Sequence, residues 1–203
     1  MSYWEKTVEY MYVILLVNSG QLKLALPLAG KEERGAGDAV FFQGATLILV
    51  EFKANRNEIH KDVEDIFINF EGAKQKLSLF DGHHLIVFAK PTQEGKDLRL
   101  ASQTYFGCTP VEVESTLCCG VEKLVFDRYL EELLAFKKPD GRSSSGVVSS
   151  DYDLVLGAVS GELRAAPLGE YVKRFAPNLA ENLTQVDTPH SAPSGVHLPR
   201  PRG

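Results

Sequence analysis

Asp38, twelve intervening residues, and then Glu51-Phe52-Lys53 place two carboxylates and an ammonium within one short stretch of chain. The second carboxylate closes an apolar run, Thr46 to Val50, and the lysine follows two residues later. Side chains alternate along a strand, so Glu51 and Lys53 share a face with Leu47 and Leu49 while Phe52 points to the other. That face begins as core and ends as charge. If the segment 38–43 pairs with 46–53, Asp38 comes beside Glu51. Two adjacent carboxylates repel, and at least one pKa rises unless a cation sits between them. A hard divalent ion with oxygen ligands, Mg²⁺ or Mn²⁺ in its place, resolves the conflict, and the carbonyl of Phe52 offers a further oxygen. Lys53 then stands beside the ion, where it can orient a water or steady charge developing on a phosphate. These are the components of metal-assisted phosphodiester hydrolysis.

The elements that must position them are readable by period and punctuation. Residues 2–17 predict a helix: Ser2 and Glu5 form a capping box, Trp4, Val8, Met11 and Leu15 recur at helical spacing, and Asn18-Ser19-Gly20 stops it. Strands are expected at 22–28, 38–43 and 46–53, with Gly44 turning the last two into a hairpin. A second amphipathic helix is expected over 57–77, on the stripe Ile59, Val63, Ile66, Phe67, Phe70, Ala73 and Leu77, bent or split at Gly72. Strands at 84–90 and 98–106 and a helix at 121–137 follow. This order implies an α/β fold with a central mixed β-sheet flanked by helices, and residues 1–138 are expected to form its core with one added helix. Residues 139–150 read as a Ser/Gly-rich linker, 151–176 as a small strand-helix extension, and 177–203, which holds five of the ten prolines, as a disordered tail.

The spacing of Asp38 and Glu51-Phe52-Lys53, with this element order around it, resembles the PD-(D/E)XK (restriction-endonuclease-like) superfamily over residues 2–106. Gly37 stands where the motif's name has proline. The resemblance implies an αβββαβ core, metal ligation by Asp38 and Glu51 and by the Phe52 carbonyl, and a catalytic role for Lys53. It also implies a carboxylate from the first helix, Glu9 by preference and Glu5 as second choice. Some relatives carry a glutamine and then a tyrosine on the second helix; Gln75 matches the first, whereas Leu79 stands in place of the second. Gln75, Lys74 and Arg56 are the implied nucleic-acid contacts. The implied activity is a Mg²⁺-dependent nuclease, on DNA in preference to RNA, working as a homodimer or beside a motor subunit. The alternative is a catalytically inactive nuclease fold serving as a binding or assembly subunit.

Composition restricts these readings. The formal charge of −5 and pI near 5.6 mean that any grip on a phosphate backbone must come from a local concentration of basic residues or from a partner. Val13 to Val17, the longest apolar run, is far too short for a bilayer, so no membrane partner is expected. Three cysteines without metal-ligand spacing, and no secretory signal, fit an intracellular, cytoplasmic setting. Plainer roles exist for each site residue: a turn carboxylate for Asp38, a solvated surface ion pair for Glu51 and Lys53. His83-His84 is set aside because neighbours in a strand face opposite ways. Asp151-Tyr152-Asp153 is set aside because no Glu-x-Lys strand follows it.

Overall fold

The apolar run Thr46–Lys53 forms a strand whose residues after Thr46 are all buried. A computed structural model describes residues 5–21, 25–27, 44–59, 66–92, 98–138, 153–159 and 162–179. Among the described residues eight strands form one sheet: β1 (Ala25–Pro27), β2 (Thr46–Lys53), β3 (His84–Pro91), β4 (Leu98–Thr104), β5 (Pro110–Val111), β6 (Val121–Glu122), β7 (Asp153–Val159) and β8 (Glu162–Pro167). Their order is β1-β8-β7-β2-β3-β4-β5, with β6 pairing the first residues of β2. The β1–β8 and β2–β3 pairs are parallel and the others antiparallel, so the sheet is mixed. Helices α1 (Glu5–Asn18), α2 (Phe70–Leu77), α3 (Lys123–Phe136) and α4 (Leu168–Phe175) flank it. The fold is the expected α/β class.

Alternation along the strands splits the core in two. Leu47 and Leu49 of β2, Ile86 of β3 and Val155 of β7 face α2, α3 and α4, packing with Leu77, Leu130 and Tyr171. Ile48, Val50 and Phe52 face α1, against Val8 and Tyr12. Burying one such aliphatic side chain is worth roughly 1.5–3 kcal/mol, so the two layers dominate the fold's stability.

Two local readings change. The buried stripe of α1 is Val8, Tyr12 and Leu16, not Val8, Met11 and Leu15. Glu5 begins the observed stripe, three residues before Val8. The helix closes in a Schellman turn: Gly20 adopts φ +72°, its N–H bonds Val17 O, and the Gln21 N–H bonds Leu16 O. The expected long helix over 57–77 is interrupted. Arg56–Glu58 is a 3-10 turn, residues 60–65 lie outside the described set, and Phe67 leaves the helix to bridge Lys137. α2 begins afresh where the Asn69 side chain accepts the Gly72 N–H at 2.9 Å, and a Cβ on Gly72 would collide with that cap.

The C-terminal segment is no appendage. β7 lies between β8 and β2 in the sheet, and Leu168, Tyr171, Val172 and Phe175 of α4 belong to the core. β8 had no sequence forecast: Glu-Leu-Arg-Ala-Ala-Pro lacks β-branched residues, and its six-residue ladder with β7 decides it. Leu179, assigned to the tail, is buried in the same core. Residues 180–203 of the expected tail, the linker at 139–150 and the strand at 38–43 lie outside the described residues. No helix among the described residues is long and apolar enough to cross a membrane.

Candidate active site

Two strand ends bring charged groups together on the face covered by α2, α3 and α4. Glu51 is the register partner of Asp153 in the antiparallel β2–β7 ladder and of Ile86 in the parallel β2–β3 ladder. Both edges of β2 are therefore taken at Glu51. Its antiparallel neighbour comes from β7 and not from a hairpin with 38–43. Opposed residues of antiparallel strands project to the same face with Cβ atoms about 5 Å apart. Asp153 thus stands beside Glu51, in the position that the sequence motif gives to Asp38. Asp38 itself lies outside the described residues.

Each carboxylate meets a lysine. Lys53 Nζ is 2.8 Å from Glu51 Oε1 and 3.7 Å from Glu5 Oε1. Lys137, which ends α3, places its Nζ 3.2 Å from Asp153 Oδ2 and 6.0 Å from the centre of the Phe67 ring. Glu51 and Asp153 are 2% exposed, Lys53 and Lys137 5%, so the four charges interact across a poorly screening interior. Burial is the main cause that pushes the Glu51 carboxyl up to about 7, and the charge of Asp153 pushes the same way. Lys53 and Lys137 oppose the rise without cancelling it. A carboxyl titrating near neutrality beside a second carboxylate is suited to exchanging a proton for a metal ion.

The helix carboxylate nearest this cluster is Glu5, the second choice of the sequence reading. Glu9, the first choice, is held by Lys6, whose Nζ lies 2.8 and 2.7 Å from its two oxygens. The reason is the phase of α1: the stripe that meets the sheet starts at Glu5. Phe52 buries its ring against Tyr12, 5.6 Å between centroids, and its backbone lies one residue beyond the β7 ladder, paired only with Val87. Arg56, Lys74 and Gln75 are all exposed, Arg56 just after β2 and the other two on α2. His84 is buried, stacked on Tyr105 and bonded through Nδ1 to the Tyr129 hydroxyl at 2.8 Å. Burial, with the Lys137 charge, holds its pKa well below the usual imidazole value.

Among the described residues no three His, Cys, Asp or Glu side chains cluster as a metal site. Glu51 and Asp153 form a two-carboxylate set. That suits Mg²⁺, which binds through one or two carboxylates and keeps several waters. Asp153 was set aside in the sequence for want of a following Glu-x-Lys strand, and Lys137 was not singled out. The available signal was that Asp153, like Asp38, opens an apolar run. Compared with family models, with curated proteins and with solved structures, the chain matches none.

Proposed function

We propose that the chain is a Mg²⁺-dependent nuclease, acting on DNA in preference to RNA, with Glu51 and Asp153 as its carboxylate pair. The observation that carries this reading is the register pairing of Glu51 with Asp153, with Lys53 bound to Glu51 and beside Glu5. Mg²⁺, with Mn²⁺ able to replace it, would be held by Glu51 and Asp153, and would polarise a phosphoryl oxygen and lower the pKa of a bound water. Asp38 keeps the place of a further ligand to be tested beside them. Lys53 is the group that orients the attacking water or offsets charge on the scissile phosphate, and Glu5 holds its ammonium at a second point. Arg56, Lys74 and Gln75, exposed near the end of β2 and on α2, are the phosphate contacts of this reading. With a net charge of −5 they are few, which favours a homodimer or a partner subunit that adds positive surface.

A second reading has its own observation: both buried carboxylates already face buried lysines. Such a quartet needs no chemistry to be kept, because removing one member strands the other at a cost of about 3–5 kcal/mol. The chain would then be a binding or assembly subunit on a nuclease-like frame. Incubation of the purified protein with plasmid and linear duplex, in Mg²⁺, Mn²⁺ or EDTA, separates the two. The nuclease reading expects metal-dependent cleavage that falls on the order of 10²-fold or more in Glu51→Gln and in Asp153→Asn. Full activity in Asp153→Asn with none in Asp38→Ala would return the second ligand to Asp38. No cleavage under any ion would leave the subunit reading.

A further inference from the structure

A cavity of about 650 Å³ opens between the end of α2 and the outer side of α3, away from the carboxylate pair. Its volume lies in the range of small-molecule sites. Leu77 and Tyr129 contribute to its walls, and four large apolar side chains ring it: Leu79, Phe80, Leu124 and Val125, between 52% and 85% exposed. Half of the large hydrophobics that the described residues leave in water are here, and such a concentration marks a binding surface.

One buried polar group lines the same cavity. His83 is 3% exposed, its ring packed edge-on to Tyr129 at 4.6 Å between centroids and tilted against Phe126 at 5.7 Å. Its Nε2 is buried and has no hydrogen-bond partner. Burial pushes the His83 pKa down to about 4, so the ring is neutral at physiological pH. An unpartnered buried nitrogen costs free energy that a ligand hydrogen bond would recover. A carboxylate serves only the imidazole tautomer with its donor at Nε2, and an ammonium only the one with its acceptor there. A hydroxyl serves both, since it donates and accepts.

We infer that this cavity is a binding site for a compact aromatic alcohol, its rings against Leu77, Tyr129 and the apolar rim and its hydroxyl on His83 Nε2. Because Nε2 is shielded in the present arrangement, binding includes a tilt of the imidazole toward the cavity. The site is separate from the proposed nuclease chemistry and does not depend on it.

Calorimetric titration of the full chain with 2-naphthol, with naphthalene and with 2-naphthoate provides the test, accompanied by ¹⁵N-edited spectra of the histidine rings. Wild type should bind one 2-naphthol per chain, about fivefold tighter than naphthalene, with the His83 ring nitrogen resonances shifting on saturation. His83→Phe should bring naphthol and naphthalene to equal affinity. Leu124→Glu and Val125→Glu, both at exposed positions that tolerate charge, should weaken both ligands at least tenfold while the melting temperature holds. Equal binding of naphthol and naphthalene by wild type, tighter binding of naphthoate, or unmoved His83 resonances would overturn the assignment, whatever the outcome of the cleavage assays.

Discussion

Glu51 is a carboxyl that holds its proton more tightly in the fold than in the unfolded chain. Its pKa in the native state, about 7, lies above the ordinary 4.5, so between these values the native protein binds more protons than the unfolded chain. Stability therefore falls as pH rises through that window, by on the order of 3 kcal/mol if the whole shift is expressed. Melting curves from pH 4.5 to 8 should slope downward in wild type and be flatter in Glu51→Gln, whose amide does not titrate. The slope isolates Glu51 from any constant change caused by Lys53 losing its partner. Equal slopes would mean that another group titrates there. The helix carboxylates give a second residue-level expectation. Glu5 lies 3.7 Å from Lys53 Nζ, whereas Glu9 is engaged by Lys6. Single-turnover cleavage should drop about tenfold in Glu5→Gln, through displacement of the lysine, and stay near wild type in Glu9→Gln. The reverse order would restore Glu9 to the site.

At the scale of elements, β7 carries both stability and one half of the carboxylate pair. Leu156, 4% exposed, is packed on the α1 side of the sheet, so Leu156→Ala should cost about 2–5 kcal/mol. Urea denaturation at fixed pH measures it; a loss below 1 kcal/mol would show that β7 is only loosely docked. The local chemistry of Glu51 and Lys53 was readable from sequence because a two-residue period fixes which side chains share a strand face. The partner of Glu51 was not, since strand register across about a hundred residues is set by pairing and not by spacing. The phase of α1 failed for a different reason. Every residue from Tyr10 to Val17 is apolar or aromatic, so periodicity alone cannot separate the Val8, Met11, Leu15 stripe from the Val8, Tyr12, Leu16 stripe that is buried. Glu9 stood ahead of Glu5 because the capping-box pattern with Ser2 already accounted for Glu5 and because Glu9 lay off the expected stripe.

In the whole molecule, β7 completes the middle of the sheet, so the site is assembled only when residues from Glu5 to Asp153 are in place. The proposed chemistry then rests on one coupling: an ion entering between Glu51 and Asp153 must displace the proton that Glu51 holds below about pH 7. Isothermal titration of Mn²⁺ into wild type and Asp153→Asn, at intervals from pH 5.5 to 8, reads this coupling directly. Wild type should bind one ion per chain, with affinity rising by up to about tenfold per pH unit below 7 and levelling above it, while Asp153→Asn binds weakly throughout. Wild-type affinity that ignores pH across this range, or binding unchanged by Asp153→Asn, would contradict a metal pair made of Glu51 and Asp153.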